Sequence, residues 1–299
     1  LKGFAADKAF VWVYTKDGEY HPGSKTHHNP RKCSLKIAGT KIDHYAFTRR
    51  DGSKDFDTYE NELEKLEKAS NPIFHKLRSH QMITQQEKDT FAAYIFCMFK
   101  RVPKSIERLQ SSFPRIYASV SSEIRDWLDD EEATSAKGNV AQLTRIYAIR
   151  DEVQDILEFY RKNLLDSEFR LTSIVAESRL GIPEIMASMA WQFFVAPPRY
   201  GYIASDNPVF TPGLNKPYSE VSFPIATDVA LVMSWHNVPQ GFMLATPEIV
   251  KEINQRTTNN AQYELYYSCS ERWVVDLAKI KRDGYYLIYP QPMEVSYAT

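Results

Sequence analysis

Cysteine is scarce in this chain: Cys33, Cys97 and Cys269 are far apart and form no Cys-x-x-Cys pair. Such a set supports neither a disulfide framework nor a thiolate zinc site, and it favours a cytoplasmic location. No apolar run approaches the roughly 18 residues that a transmembrane helix needs, so we expect no membrane partner. The chain begins at Leu1 rather than at methionine, so the sequence allows for a removed targeting segment upstream.

Glycine is also infrequent, with 11 in 299 residues. No Gly-rich phosphate loop, Gly-x-Ser-x-Gly elbow or His-Glu-x-x-His helix occurs, so the best-known sequence signatures of nucleotide-binding loops, serine hydrolases and zinc proteases are missing. Neither charge dominates, since 37 Lys and Arg face 38 Asp and Glu. This balance argues against a protein whose whole surface binds nucleic acid, although it allows a local basic groove.

The order of helical and strand patterns predicts the fold class. Helical periodicity dominates from residue 59 to about residue 164, and Thr84 with Glu87 has the spacing of a capping box before the second helix. Strand-like apolar runs follow after about residue 170, together with a helix predicted over about 247–267. A block of helices followed by a block of strands is typical of α+β proteins.

We therefore predict a single α+β domain over residues 1–299. Its helical half, about 50–170, packs on a mixed or antiparallel sheet in this prediction. The sheet comes from about 185–290 together with an N-terminal strand at 9–14. Residues 273–276 and 285–289 are predicted as two of its strands, because both are rich in β-branched or aromatic side chains.

The most informative motif is Ser205-Asp206-Asn207-Pro208, which directly follows a strand-like segment. A turn at the end of a rigid strand holds its side chains in fixed positions, which suits a binding or catalytic group. Asp206 is a candidate metal ligand or general base, while Asn207 and Ser205 are candidates for contacting substrate. The alternative is a structural turn in which the side chains cap their own backbone.

Two glutamates mark the first predicted helix, residues 59–77. Glu60 and Glu67 fall on the same edge of its apolar stripe and are separated by about 10 Å along the axis, so they could line one wall of a groove as catalytic carboxylates. The alternative is a solvent-exposed helix face on which Glu64 pairs with Lys68.

Arg101 ends the second predicted helix, just before Val102-Pro103. An arginine there can satisfy free carbonyl groups and complement the helix dipole. It can also pair with a carboxylate of the neighbouring helix or hold a substrate phosphate. The sequence leaves these roles open.

These motifs together resemble the uncharacterised, largely bacterial family called domain of unknown function 4238. The most specific correspondence is Ala204-Ser205-Asp206-Asn207-Pro208-Val209, which differs from the family's Thr-Ser-Asp-Asn-Pro-Val only in its first residue. The family carries no established activity, so the resemblance implies where a site lies and leaves its chemistry open. The other correspondences are Leu1–Phe4, Val11–Tyr14, Glu60 with Leu63, Leu66 and Glu67, Arg101–Pro103, Phe223–Pro224 and Asn254–Asn260.

Two functional hypotheses follow. The first is a divalent-metal-dependent hydrolase of phosphodiesters or nucleotides, in bacterial defence or a toxin-like setting, with a nucleic acid or nucleotide as its ligand. The second is a non-catalytic binding or interaction module, with a protein partner, in which the same charges form a buried ion-pair network. The first assigns catalysis to Asp206, Glu67 and Glu60, Mg²⁺ or Mn²⁺ binding to Asp206 and Glu67, and substrate contacts to Arg101, Asn207 and Ser205.

Overall fold

The computed structural model of the protein describes residues 1–5, 9–16, 30–38, 47–48, 54–55, 58–135, 140–163, 181–214, 217–280 and 284–289. Its helices and sheets confirm the predicted α+β class. The chain divides into two compact units, and the prediction of one domain spanning 1–299 stays a prediction. The first unit comprises Leu1–Ile42, Leu63–Val102 and Ser178–Thr299, and the second comprises Asp43–Glu62 and Pro103–Glu177.

The α-helices occupy seven segments of the described chain. They are α1 (Thr58–Arg78), α2 (Gln85–Lys100), α3 (Pro103–Ser135), α4 (Val140–Asn163), α5 (Ile182–Ser188), α6 (Pro247–Asn260) and α7 (Arg272–Lys279). The Thr84 side chain accepts a hydrogen bond from the Glu87 amide, and the Glu87 side chain accepts one from the Thr84 amide. This capping box confirms the start predicted for α2. None of the described helices is long and apolar enough to cross a membrane.

The strands form two four-stranded sheets in the first unit and a two-stranded ribbon in the second. Sheet I has the order β2-β1-β10-β6 and is antiparallel throughout. Sheet II has the order β7-β8-β5-β9 and is mixed, because β9 runs parallel to β5. The strands are β1 (Phe10–Thr15), β2 (Arg31–Ser34), β3 (Phe47–Thr48), β4 (Lys54–Asp55), β5 (Ala190–Val195), β6 (Ala204–Ser205), β7 (Glu220–Pro224), β8 (Val229–Ser234), β9 (Gly241–Leu244) and β10 (Glu264–Tyr267).

Sheet II is the centre of the first unit, and each of its faces packs against a different part of that unit. On one face Trp191 and Phe223 meet Phe91 of α2, with ring centroids 6.2 Å apart in both pairs. On the other face Phe194 and Val232 join the core cluster that includes residues of sheet I and α6. Alternation of side chains along β5 therefore directs Trp191 to one apolar layer and Phe194 to the other.

The second unit contains the β3–β4 ribbon and the packed helices α3 and α4. Leu128 and Ile146 are buried in this unit. Arg150 of α4 binds both Asp129 and Glu132 of α3, at 2.9 and 2.8 Å. Helix α3 runs through the acidic stretch that contains these carboxylates and ends at Ser135.

Several other boundaries differ from the predictions. The helix predicted over 247–267 ends at Asn260. The last four residues of the predicted range, Glu264–Tyr267, form strand β10 instead. Residues 273–276 belong to helix α7 rather than to a strand, and residues 285–289 form no strand. In α7 the buried residues Val274 and Ala278 lie one turn apart, so a helix directs both of them into the core.

Candidate functional site

Asp206 lies at the end of β6 and caps the connection between α6 and β10. Its Oδ1 accepts the Gln262 amide at 2.9 Å, and its Oδ2 accepts the Tyr263 and Glu264 amides at 2.6 and 3.2 Å. These amides are 56 to 58 positions later in the chain. Both oxygens of the carboxylate are therefore engaged in holding the main chain.

Ser205 and Asn207 also make structural contacts. The Ser205 hydroxyl accepts the Asn207 amide at 3.2 Å, which closes a local turn. The Asn207 side chain donates to the carbonyl of Asn260 at 2.9 Å, and the Asn260 side chain donates back to the carbonyl of Asn207 at the same distance. The motif thus fastens strand β6 to the C-terminus of α6.

The electrostatics of Asp206 reflect opposing effects. Burial raises the pKa of its carboxyl above the ordinary value, the three amide hydrogen bonds lower it, and the charge of Glu264 raises it again. The net direction is a raised pKa. The three amide hydrogen bonds hold the main chain in place, and these contacts favour the structural alternative over a catalytic one.

Glu67 and Arg101 form an ion pair, which is one of the roles that the sequence left open for Arg101. The Arg101 guanidinium donates to Glu67 Oε1 at 2.8 Å, which joins the C-terminus of α2 to α1. Glu64 pairs with Lys68 at 2.9 Å on the exposed face, which confirms the i,i+4 pair expected there. Glu60 belongs to α1, and its side chain lies outside the described part of the structure.

The predicted site residues do not all converge. No hydrogen bond or ion pair joins Asp206 to Glu67 within the described residues. Nor do those residues contain a group of three or more His, Cys, Asp and Glu side chains that could hold a metal ion. The assignment of Asp206 and Glu67 to one Mg²⁺ or Mn²⁺ ion stays a prediction.

Sequence reasoning missed the arginine cluster, which we define as Glu67, Arg78, Tyr94 and Arg101. Arg78 and Arg101 both act electrostatically on the Tyr94 hydroxyl. Arg78 Nε is buried and has no hydrogen-bond partner, and its guanidinium lies 5.4 Å from the centroid of the Phe74 ring. The signal available in the sequence was only a basic residue in the last turn of α1, which is too common to be specific.

Tyr94, a member of the arginine cluster, and the neighbouring Cys97 are both protonated at neutral pH. Burial raises the pKa of the Tyr94 hydroxyl to about 12. Burial also raises the pKa of the Cys97 thiol to about 11, against the opposing charge of Arg101. Cys97 is therefore a poor nucleophile, because the reactive form of cysteine is the thiolate.

A buried ion-pair network lies among residues other than those that the second hypothesis named. Arg256 of α6 donates to Glu220 of β7 at 2.6 Å and to Glu252 of α6 at 3.2 Å. Arg256 and Glu220 are both completely buried. The sequence spacing of Glu252 and Arg256 allows an i,i+4 pair, whereas the approach of Glu220 depends on the tertiary structure.

A comparison with known families agrees with this arrangement of motifs. The model of the family described as protein of unknown function (DUF4238) matches residues 1–271 of the chain. No curated protein and no solved structure matches the chain. Since the family match covers far more than half of the 299 residues and includes the Ser205–Pro208 motif, Glu67 and Arg101, the chain belongs to the DUF4238 family.

Proposed function

We propose that the chain is a binding protein for a phosphate-bearing small molecule, such as a nucleotide, and that Arg78 and Arg101 contact the phosphate. The support comes from Arg78, whose guanidinium nitrogen Nε is buried and has no hydrogen-bond partner. A guanidinium presents several donors in a planar fork that matches phosphate geometry. An anionic ligand would satisfy the donors that the fold leaves unused.

Arg101 supplies the second guanidinium. Glu67 holds it at 2.8 Å, and its side chain is 23% exposed, so its orientation is fixed while part of it faces solvent. Tyr94 lies within electrostatic reach of both arginines and remains protonated at neutral pH, so its hydroxyl can donate to a ligand oxygen. The cluster therefore combines positive charge with a neutral donor.

Hydrolysis of such a ligand is the second candidate function. It is favoured by Glu67, whose side chain is 47% exposed beside Arg101 and could accept a proton from an attacking water. Asp206, Asn207 and Ser205 take no part in this version, because their polar groups hold strand β6 against α6 and β10. The binding function requires only the two arginines and is preferred for that reason.

Titration with a fluorescent ATP analogue and with inorganic phosphate tests the binding function. We expect Arg78→Gln to weaken binding by about tenfold or more, because a hydrogen bond to a charged group contributes about 1.5–3 kcal/mol. Arg272→Gln is the matched control, since it removes the same charge from a side chain that is 94% exposed on α7. Failure of the wild-type protein to bind either probe, or equal weakening in the control, would contradict the proposal.

Phosphate release separates the two candidate functions. Wild-type protein and Glu67→Gln are incubated with nucleotides and with a phosphodiester, with and without Mg²⁺ or Mn²⁺. Hydrolysis by the wild type that Glu67→Gln abolishes would establish the catalytic version. Binding without hydrolysis would leave the chain a binding protein.

A further inference from the structure

We propose that the cleft between β7 and α6 is a binding site for an extended peptide main chain, and that residues 284–289 of this chain occupy it as an intramolecular ligand. We define this cleft by Glu220 of β7 with Glu252 and Arg256 of α6, whose side chains bond to one another and to the segment. The proposal concerns a different place in the first unit from the arginine cluster, and it does not depend on the function proposed there.

The contacts in the cleft are made to the main chain of the segment. Glu220 accepts the amides of Ile288 and Tyr289, at 3.0 and 2.8 Å. Glu252 accepts the amide of Tyr286 at 2.9 Å, and Arg256 donates to the carbonyl oxygen of the same residue. Acceptors for three amides and a donor for one carbonyl can recognise a peptide whatever its side chains are, as in strand addition to a sheet edge.

The side chains of the segment contribute unequally. The Tyr289 ring lies 6.4 Å from Phe194 and 5.8 Å from His236, between centroids, and so enters the cleft. Tyr286 is 70% exposed and contributes its main chain rather than its ring. The kind of partner that fits is therefore an extended peptide with an aromatic residue at the position of Tyr289.

The resident segment leaves the cleft incompletely satisfied. Arg256 Nη1, His236 Nε2 and the Tyr289 hydroxyl are buried and have no hydrogen-bond partner. Tyr289 belongs to the segment itself, whereas Arg256 and His236 belong to its surroundings, and buried polar atoms normally have partners. Another ligand could therefore complement the cleft better. The family match over 1–271 includes Glu220, Glu252 and Arg256, whereas residues 284–289 lie beyond it.

Leaving the cleft without any main chain is unfavourable. Glu220 and Glu252 carry two carboxylates against the single guanidinium of Arg256, and the backbone amides of the segment compensate the excess negative charge. Removing those amides would leave a buried carboxylate with too few donors, which is costly. The cleft therefore exchanges one peptide for another rather than opening to an unliganded state.

Cleavage of the intact chain tests the proposal. A specific protease site replaces residues 281–283, the folded full-length protein is cut there, and a fluorescein-labelled peptide with the sequence GYYLIY is added in excess. We expect saturable binding, followed by fluorescence anisotropy, as the labelled peptide displaces the cut segment. Circular dichroism of the cut protein should remain that of the uncut one.

Backbone methylation of the peptide provides matched controls without any change to the protein. N-methylation at the Ile288 or Tyr289 position removes an amide that Glu220 accepts, so binding should weaken by about tenfold or more. N-methylation at the Leu287 position removes an amide that makes no hydrogen bond within the described structure, so binding should be retained. Equal weakening by all three methylations, absence of exchange, or unfolding after cleavage would overturn the proposal.

Discussion

Asp206 Oδ2 accepts the main-chain amide of Tyr263 at 2.6 Å, so the carboxylate that ends strand β6 fixes the first residues of the path into strand β10. The same two strands pair in sheet I, where Ser205 stands opposite Leu265. The hydrogen bond therefore sets the register at this edge of the sheet. A role in positioning the main chain explains the motif without any reaction.

Replacing Asp206 should destabilise the protein strongly. Asp206→Ala leaves the amides of Gln262, Tyr263 and Glu264 without their acceptor, and each unpaired buried donor costs about 1–3 kcal/mol. We expect a loss of at least about 2 kcal/mol in the free energy of unfolding, measured with urea, and a smaller loss for Asp206→Asn, which keeps one acceptor. Asp130→Ala, at an exposed position of α3, is the control. An Asp206→Ala protein as stable as the wild type would fit a catalytic role instead.

The contribution of Asp206 should also depend on pH. Its folded pKa is raised by burial, and the ordinary pKa of an aspartate in the unfolded chain is about 3.9. A raised folded pKa means that the folded state binds the proton more tightly, so this contribution is fully present below the unfolded pKa and is lost as pH rises through the folded pKa. We expect the stability difference between wild type and Asp206→Asn to shrink over that range in urea titrations. The opposite slope would mean that the amide hydrogen bonds outweigh burial.

The buried network gives a third prediction. Arg256→Met removes the only guanidinium that neutralises Glu220 in the buried network, and breaking a buried ion pair costs about 3–5 kcal/mol. We expect a loss of that size in the free energy of unfolding. The combined variant Glu220→Gln, Glu252→Gln and Arg256→Met removes all three charges and should recover part of it. If the single variant were as stable as the wild type, the network would contribute nothing to the free energy of unfolding.

The cap of α2 gives a fourth prediction. Thr84→Ala removes the acceptor of the Glu87 amide, and loss of such a cap costs about 0.5–2 kcal/mol. Thr134→Ala, on the exposed last turn of α3, is the matched control, because its hydroxyl bonds within the helix to Asp130. Thermal unfolding of both variants measures the difference. Equal effects of the two substitutions would show that the capping box contributes nothing specific.

The starts of helices and the most apolar strands could be predicted from the sequence because their causes are local. Thr84 and Glu87 satisfy each other's amides within one turn, so their spacing alone defines the start of α2. Strands β5 and β8 are mostly apolar and are buried on both faces. Family membership followed from short motifs for the same reason, since a motif is a local pattern.

Helix α7 could not be predicted in the same way. Its Trp273-Val274-Val275 run has high strand propensity, and only the packing of Val274 and Ala278 in one core cluster favours a helix there. Tertiary packing overrides a local preference whenever the free energy gained by burying apolar area exceeds the difference in strand propensity, which is about 1 kcal/mol.

The sequence by itself determined the α+β class, the family and the prominence of Asp206. The tertiary structure decided what Asp206 does, because its three donors come from residues 56 to 58 positions away and no local pattern specifies that approach. It likewise brought Arg78 and Arg101 within electrostatic reach of Tyr94, and Glu220 to Arg256. A side chain's type is fixed by the sequence, but its partners are fixed by which distant segments the folded core brings within hydrogen-bonding distance.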